Sequence, residues 1–225
     1  MSEILTTTNY LNYLEAFLSE QRNLKIQSVV KQRTKYLTVV AEDVFQLHNT
    51  SAVLRSCDVF GIQNLHIIEQ KYGKNIDTEI ALGAQKWVDI FRYNSPQTCL
   101  HSLKKKGYRI IVTSPHHEAF TTDTLDISTP FAVFFGNEKE GVSSDIMDAA
   151  DGFLHIPMCG FTESLNISVA AAIVMQNLTK RIKSSNVSWQ LTEDETLKTK
   201  IQWMETSIRS LRSIQKNYLE KFEGD

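Results

Sequence analysis

The sequence predicts an α/β protein built on a parallel sheet with helices on both faces. Two observations carry that expectation. Phe131 to Phe135 (FAVFF) and the later GFLHIPM are short apolar runs without alternation, the pattern of strands covered on both faces. Each runs into a polar, glycine-containing loop that feeds a helix, so two loops should open at the same edge of one sheet, where ligands sit in α/β folds. From Tyr36 onward, strand-like and helix-like segments alternate in the same way.

Composition narrows the class. With 225 residues, 42% hydrophobic and 22% charged, the chain can bury one substantial core and still carry helical appendages. No apolar run approaches the roughly 18 residues that span a bilayer. The start, MSEILTTTNY, lacks the basic and apolar regions of a signal peptide, so a cytoplasmic protein is expected. Cys57, Cys99 and Cys159 form no C-x-x-C pair and are odd in number, which fits reduced thiols better than a disulfide frame or zinc site. His116 and His117 are adjacent, a spacing unsuited to a shared metal face, and no metal is expected.

The net charge of −2 says little about nucleic acid, because phosphate affinity depends on local cationic surface. Locally, Arg22, Lys25, Lys31, Arg33 and Lys35 fall in a stretch from Gln21 to Ala41 with no acidic residue, a candidate RNA-binding surface. Lys104, Lys105, Lys106 and Arg109 form a second such cluster, at a predicted helix end where the helix dipole alone favours cations.

Taken in order, Asn9 to Gln21 places Tyr10, Leu11, Leu14, Phe17 and Leu18 on one helical face, an amphipathic helix ahead of the main domain. YLTVVAEDVF from Tyr36 reads as the first strand, and Ser51 to Phe60 as a helix stopped by Gly61. Asn64 to Glu69 is the next strand. Ile76 to Lys86 is a small helix or turn leading to the strand WVDIF. Ser95 to Lys106 is a helix with Pro96 in its first turn and Gly107 ending it. Tyr108 to Thr113 is a strand, followed by a loop up to Pro130. After FAVFF, Ser143 or Ser144 caps a helix reaching Ala150, GFLHIPM is the last strand, and a helix runs from about Ser164 to Lys183. Ser184 to Ser188 is a polar break. Beyond it Leu197, Ile201, Met204, Ile208, Leu211 and Tyr218 follow a near-heptad spacing, read as an amphipathic helix packing on the body, with Arg209, Arg212 and Lys216 on its polar face. The expected organisation is residues 1–35 as a helical and basic extension, 36–184 as the main domain, and 185–225 as a second helical extension.

Three segments concentrate the chemistry. Gly136-Asn-Glu-Lys-Glu-Gly141 has glycines at both ends, which permits tight turning and close backbone approach to a ligand. Its spacing fits G-x-x-x-x-G, but Val142 stands where a P-loop needs lysine, and no G-x-G-x-x-G is present. The loop from Pro157 to Asn166 carries Gly160 and a polar Ser164-Leu-Asn166 before a small-residue helix. His48-Asn49-Thr50-Ser51 leads a helix bearing Arg55; taken alone, Asn49 reads equally as a helix cap and Arg55 as a solvated helix residue.

FGNEKEGVS and IPMCGFTESLNISVAAA, together with NTSAVLRSCDVFG, resemble the three motifs of the SpoU-type class of the SPOUT RNA 2′-O-ribose methyltransferases. The resemblance covers roughly Leu37 to Arg181. It implies a C-terminal deep trefoil knot whose loops bind S-adenosylmethionine, a homodimer formed along the helix after Ser164, and transfer of a methyl group to a ribose 2′-hydroxyl. It places Arg55, Asn49, Glu138, Ser164 and Asn166 at the catalytic site, and Gly136, Asn137, Ile156, Met158 and Leu165 against the methyl donor. The donor's methyl is already activated, so positioning can supply much of the catalysis. A free guanidinium is a poor base. Arg55 therefore either takes a base-like role paired with substrate phosphate, or steers the ribose while phosphate or water accepts the proton.

The terminal extensions are too short for a separate RNA-binding domain of the kind ribosomal RNA members of the class carry. They look like those of the D-loop tRNA enzymes, so a tRNA D-loop guanosine is the expected substrate, with ribosomal RNA the alternative enzyme substrate. An inactive RNA-binding protein on the same fold is the alternative of another class, and donor binding discriminates it.

Overall fold

A computed structural model describes residues 3–44, 47–69, 76–114, 120–137 and 140–222. Contacts divide the chain into two units, Thr34–Trp189 and a second made of Met1–Arg33 with Gln190–Asp225.

The larger unit is a six-stranded sheet. Its strands are β1 (Leu37–Glu42), β2 (Asn64–Ile68), β3 (Asp89–Tyr93), β4 (Arg109–Thr113), β5 (Phe131–Phe135) and β6 (Gly152–Leu154), in the order β3-β2-β1-β5-β4-β6. Every pairing is parallel. The apolar runs are explained by burial on both faces: all of β1, β2 and β5 are buried. Alternate residues go to separate cores. Val39, Ala41, Val133 and Phe135 face one, with Leu54 and Cys57 of a helix Leu47–Phe60 and Val174 and Met175 of a helix Ile167–Lys183. Val40, Ala132 and Phe134 face the other, with Cys99 and Leu103 of a helix Pro96–Lys105 and Ile146 of a helix Ser144–Asp148. Each of the Val, Leu, Ile, Phe and Met side chains contributes about 1.5–3 kcal/mol on burial, so two-sided burial is what makes these short strands stable.

Numbered along the chain, the helices are α1 (Thr8–Glu15), α2 (Glu20–Val30), α3 (Leu47–Phe60), α4 (Thr78–Ala81), α5 (Pro96–Lys105), α6 (Ser144–Asp148), α7 (Ile167–Lys183), α8 (Glu193–Ser207) and α9 (Leu211–Phe222). Four differ from expectation. Sequence reasoning puts one helix over Asn9 to Gln21, whereas α1 ends at Glu15 and a second helix, α2, capped by the Ser19 hydroxyl, takes the first part of the basic stretch with Arg22 and Lys25. α3 begins before Ser51, which places Asn49 inside the helix rather than at its cap. α7 starts at Ile167, with Asn166 as its N-cap. The tail is two helices, because Ile208 takes an extended conformation, φ −96° and ψ 121°, that no helix can continue through.

In the smaller unit the two chain ends pack together. α8 lies against α1 and α2, and Tyr10 of α1 stacks near Tyr218 of α9 with ring centroids 4.9 Å apart. The Tyr10 hydroxyl donates to Glu205 at 2.9 Å. A capping box formed by Thr192 and Glu195 starts α8. Arg33 requires a correction. It is 1% exposed, with its guanidinium 5.0 Å from the centre of the Trp203 ring, so it is an interior cation of this unit and offers no surface for RNA. Arg22, Lys25 and Lys31 are exposed on or beside α2, and Lys35 is half-buried in the larger unit.

Candidate active site at the carboxyl edge of the sheet

The carboxyl ends of β4, β5 and β6 and the loops beyond them surround a cavity of about 540 Å³. Thr113 and Ser114 close one side, the Gly136 to Val142 loop another, and the segment from His155 to Leu165 the third. Of the expected site residues, Gly136, Asn137, Ile156, Met158, Ser164 and Leu165 all line it. Glu138 lies outside the described residues, as do His116 and His117.

The first loop folds back on itself. Asn137 and Gly141 exchange both backbone hydrogen bonds, at 2.9 and 3.0 Å, and the Asn137 side chain accepts from the Glu140 N–H at 2.7 Å. Gly136 is required by this closure: a Cβ there would stand 2.0 Å from the Gly141 carbonyl carbon. The sequence suggests a glycine for close approach to a ligand; the close approach found here is to the loop's own backbone. Gly141, at φ +70°, takes the left-handed turn that brings the chain back.

The second loop reaches α7 through Asn166. Its Oδ1 accepts from the Ser168 N–H at 2.8 Å and from the Ser168 hydroxyl at 2.6 Å, capping the helix. Its Nδ2 donates to Oδ1 of buried Asn49 in α3 at 3.2 Å. The bond joins residues of the first and third motif segments 117 positions apart in the chain. α3 and α7 also pack along their lengths, with Cys57 and Met175 sulfurs 3.7 Å apart. Arg55, on the same α3, is exposed.

Sequence reasoning missed Glu42. It ends β1, is 3% exposed, and its Oε2 accepts from the Ser143 N–H at 2.7 Å, where the first loop passes into α6. Burial raises its pKa, the Ser143 bonds oppose the rise, and the charges of Asp43 and Asp145 add to it. The signal was present as an acid closing an otherwise apolar strand. Glu140 and Glu163 on the cavity wall were also not singled out; they give it an anionic rim suited to a cationic ligand. Cys99, on the other side of the sheet from α3, has its thiol pushed up to about 12, by burial first and by the Glu42 charge next, and is inert. Among the described residues no group of three or more His, Cys, Asp or Glu side chains could hold a metal ion, and no helix is long and apolar enough to cross a membrane.

A parallel α/β fold with a ligand-sized cavity at its carboxyl edge, walled by two loops and bound through asparagines to an arginine-bearing helix, is the architecture of a small-molecule-binding α/β protein. The chain belongs to the SpoU rRNA Methylase family, which residues 36–176 match. The tRNA (guanosine(18)-2′-O)-methyltransferase of Borreliella burgdorferi is 34% identical over 205 residues, 91% of this chain and 94% of that protein. That of Aquifex aeolicus is 32% identical over 193 residues, 84% of this chain and 92% of the relative. The crystal structure of the A. aeolicus TrmH/SpoU tRNA modifying enzyme superposes with a TM-score of 0.75, covering 84% of this chain and 98% of that one. The SpoU methyltransferase AviRb from Streptomyces viridochromogenes, solved in complex with AdoMet, shares the fold at 20% identity, with a TM-score of 0.62 over 70% of this chain and 65% of that one.

Proposed function

We propose that this protein transfers a methyl group from S-adenosylmethionine to the ribose 2′-hydroxyl of guanosine-18 in the D-loop of tRNA. The observation that carries the reading is the convergence of the three motif segments at one sheet edge, joined by the Asn49–Asn166 bond. The named substrate of the relatives that span nearly the whole chain supports tRNA over ribosomal RNA.

The cavity fits the donor. Its volume is in the range for small-molecule sites, its apolar wall at Ile156, Met158 and Leu165 suits an adenine and a thioether, and Glu140 and Glu163 suit the sulfonium and ammonium charges. When bound, the donor supplies an activated methyl group. The loop backbones around Gly136 and Leu165 would hold it, and Ser164, on the cavity wall, would line the donor and ribose side. Glu138 is assigned to fixing the first loop. Exposed Arg55 would grip the phosphate beside the target ribose and align the hydroxyl with the methyl while that phosphate or a water takes the hydroxyl proton, which makes it a positioning cation more than a base.

The C-terminal half is proposed to form the deep trefoil knot. In support, β5 is inserted between β1 and β4, and Arg181 near the end of α7 donates to the carbonyls of Thr122 and Leu125, at 2.5 and 2.9 Å, in the segment that precedes β5. A second copy is proposed to cover Phe161 and Val169, exposed apolar side chains of the second loop and of α7 that do not line the cavity. The exposed cations Arg22, Lys25 and Lys31, with Arg209, Arg212 and Lys216, are proposed to grip tRNA phosphates.

The test is methyl transfer from labelled donor to unmodified tRNA, with the product mapped to its nucleotide. Label on the ribose of guanosine-18 is expected. Label found only in ribosomal RNA, or on a base, overturns the assignment.

A further inference from the structure

We propose that Glu42 is a positioning residue that anchors the methyl-donor loop to the strand leading to the catalytic helix; this rests on the donor reading above. Ala41 of β1 pairs with Phe135 of β5, so Glu42 sits beside Gly136, where the loop leaves the sheet. The loop's first end is fixed internally, by the Asn137–Gly141 bonds. Its other end is fixed by Glu42: Oε2 receives the Ser143 N–H at 2.7 Å immediately before α6. The α6 cap makes no side-chain hydrogen bond of its own there. The chain after Glu42 turns at once through Asp43, at φ 44°, whose N–H donates to the Ile68 carbonyl at 2.9 Å, and then enters α3 with Asn49 and Arg55. One side chain thus ties the donor loop to the arm that carries the substrate-facing arginine.

An ionisable group is a costly way to make one hydrogen bond, since the carboxyl is 3% exposed and Oε1 is buried with no hydrogen-bond partner among the described residues. A charge-assisted bond to a backbone N–H is correspondingly strong, which suits it to fixing the chain where the loop passes into α6.

Ser143 allows the bond to be removed from either end. Its φ of −64° is the proline value, so Ser143→Pro deletes the N–H, together with the hydroxyl, without forcing the backbone at that residue, and Ser143→Ala, which keeps the N–H, controls for the hydroxyl. Glu42→Gln keeps an accepting oxygen, and Glu42→Ala removes it. The full-length variants are compared by donor affinity in calorimetry, by KM and kcat for methyl transfer, and by hydrogen exchange of the Asn137 to Val142 amides without donor. Glu42→Ala and Ser143→Pro are each expected to weaken donor binding by about tenfold or more, to raise donor KM more than they lower kcat, and to speed loop exchange. Glu42→Gln, which keeps the acceptor without its charge, is expected to fall between Glu42→Ala and the wild type. The double variant Glu42→Ala/Ser143→Pro should be no worse than either single, because both delete one bond. Wild-type donor affinity and loop exchange in either single variant, or additive losses in the double, would overturn the anchor. Should Glu42→Ala not fold, Ser143→Pro against Glu42→Gln decides alone. If the wild type itself binds no donor, the functional reading fails, while loop exchange still tests the anchor.

Discussion

The side-chain amide of Asn166 donates to Oδ1 of Asn49 across 3.2 Å while its own oxygen caps α7 through Ser168. One residue therefore sets both the start of the helix behind the second loop and the distance of that loop from α3. Asn166→Asp retains the capping oxygen but sets a carboxylate against the Asn49 carbonyl. Its melting temperature is expected to change little from the cap itself, and methyl transfer to fall at least tenfold. Asn166→Ala should also lose about 0.5–2 kcal/mol of stability in chemical unfolding. Full activity in the aspartate variant would reduce Asn166 to a cap.

Arg55 is exposed on α3, so its removal should leave stability within about 0.5 kcal/mol of wild type. Arg55→Ala is expected to abolish methyl transfer with donor affinity nearly unchanged. Arg55→Lys should fail largely as well, because an ammonium cannot reproduce the planar fork on a phosphate. Near-normal turnover by either variant would make this arginine a scaffold residue.

Gly136→Ala should damage the donor site far more than Gly141→Ala. The first introduces a Cβ at 2.0 Å from backbone, which cannot move without opening the loop; the second faces open space and carries only the strain of φ +70°. At a hundredfold excess over its dissociation constant, donor should stabilise the wild type by roughly 2.7 kcal/mol. A thermal melt with and without S-adenosylmethionine is expected to show that gain vanish in Gly136→Ala and persist, reduced, in Gly141→Ala. Equal gains in the two variants would contradict the loop's role.

His66 should make the sheet sensitive to acid. It is fully buried on β2, stacked on Phe91 with centroids 4.8 Å apart, and its Nδ1 lies 3.0 Å from the Tyr93 hydroxyl. Burial, then the nearby Lys106 charge, lowers its pKa from 6.5 to about 3. The unfolded chain therefore takes up a proton that the folded one refuses, and stability is lost as pH falls from about 6.5 toward about 3, by an amount on the order of a few kcal/mol. Chemical denaturation of His66→Phe across that range should show a shallower loss than the wild type. Identical slopes would show that His66 does not drive the acid transition.

The strands, the helices between them and the three motif segments were legible in the chain because each depends on neighbours in sequence, whereas the terminal helices were read as one at each end and are two. Apolar runs bounded by glycine and polar loops make strands wherever both faces will be covered, and Ser95-Pro96 starts a helix by local geometry alone. The basic stretch after Gln21 was visible for the same reason, as a lack of acids. What tertiary structure decided is where each side chain went. Arg33 belongs to that basic stretch but is sealed against Trp203, a residue 170 positions later, because the two chain ends fold into one helical unit. Asn49, which taken alone could have been a cap, is half of a pair whose other member is 117 residues away. Glu42 passed unremarked inside the strand read from Tyr36, and only the parallel register of β1 beside β5 brings its carboxylate to the Ser143 N–H. Periodicity and turn chemistry act over a few residues and can be read along the chain; burial and pairing of polar groups depend on which distant segments share a sheet edge, and that is settled only when the chain is folded.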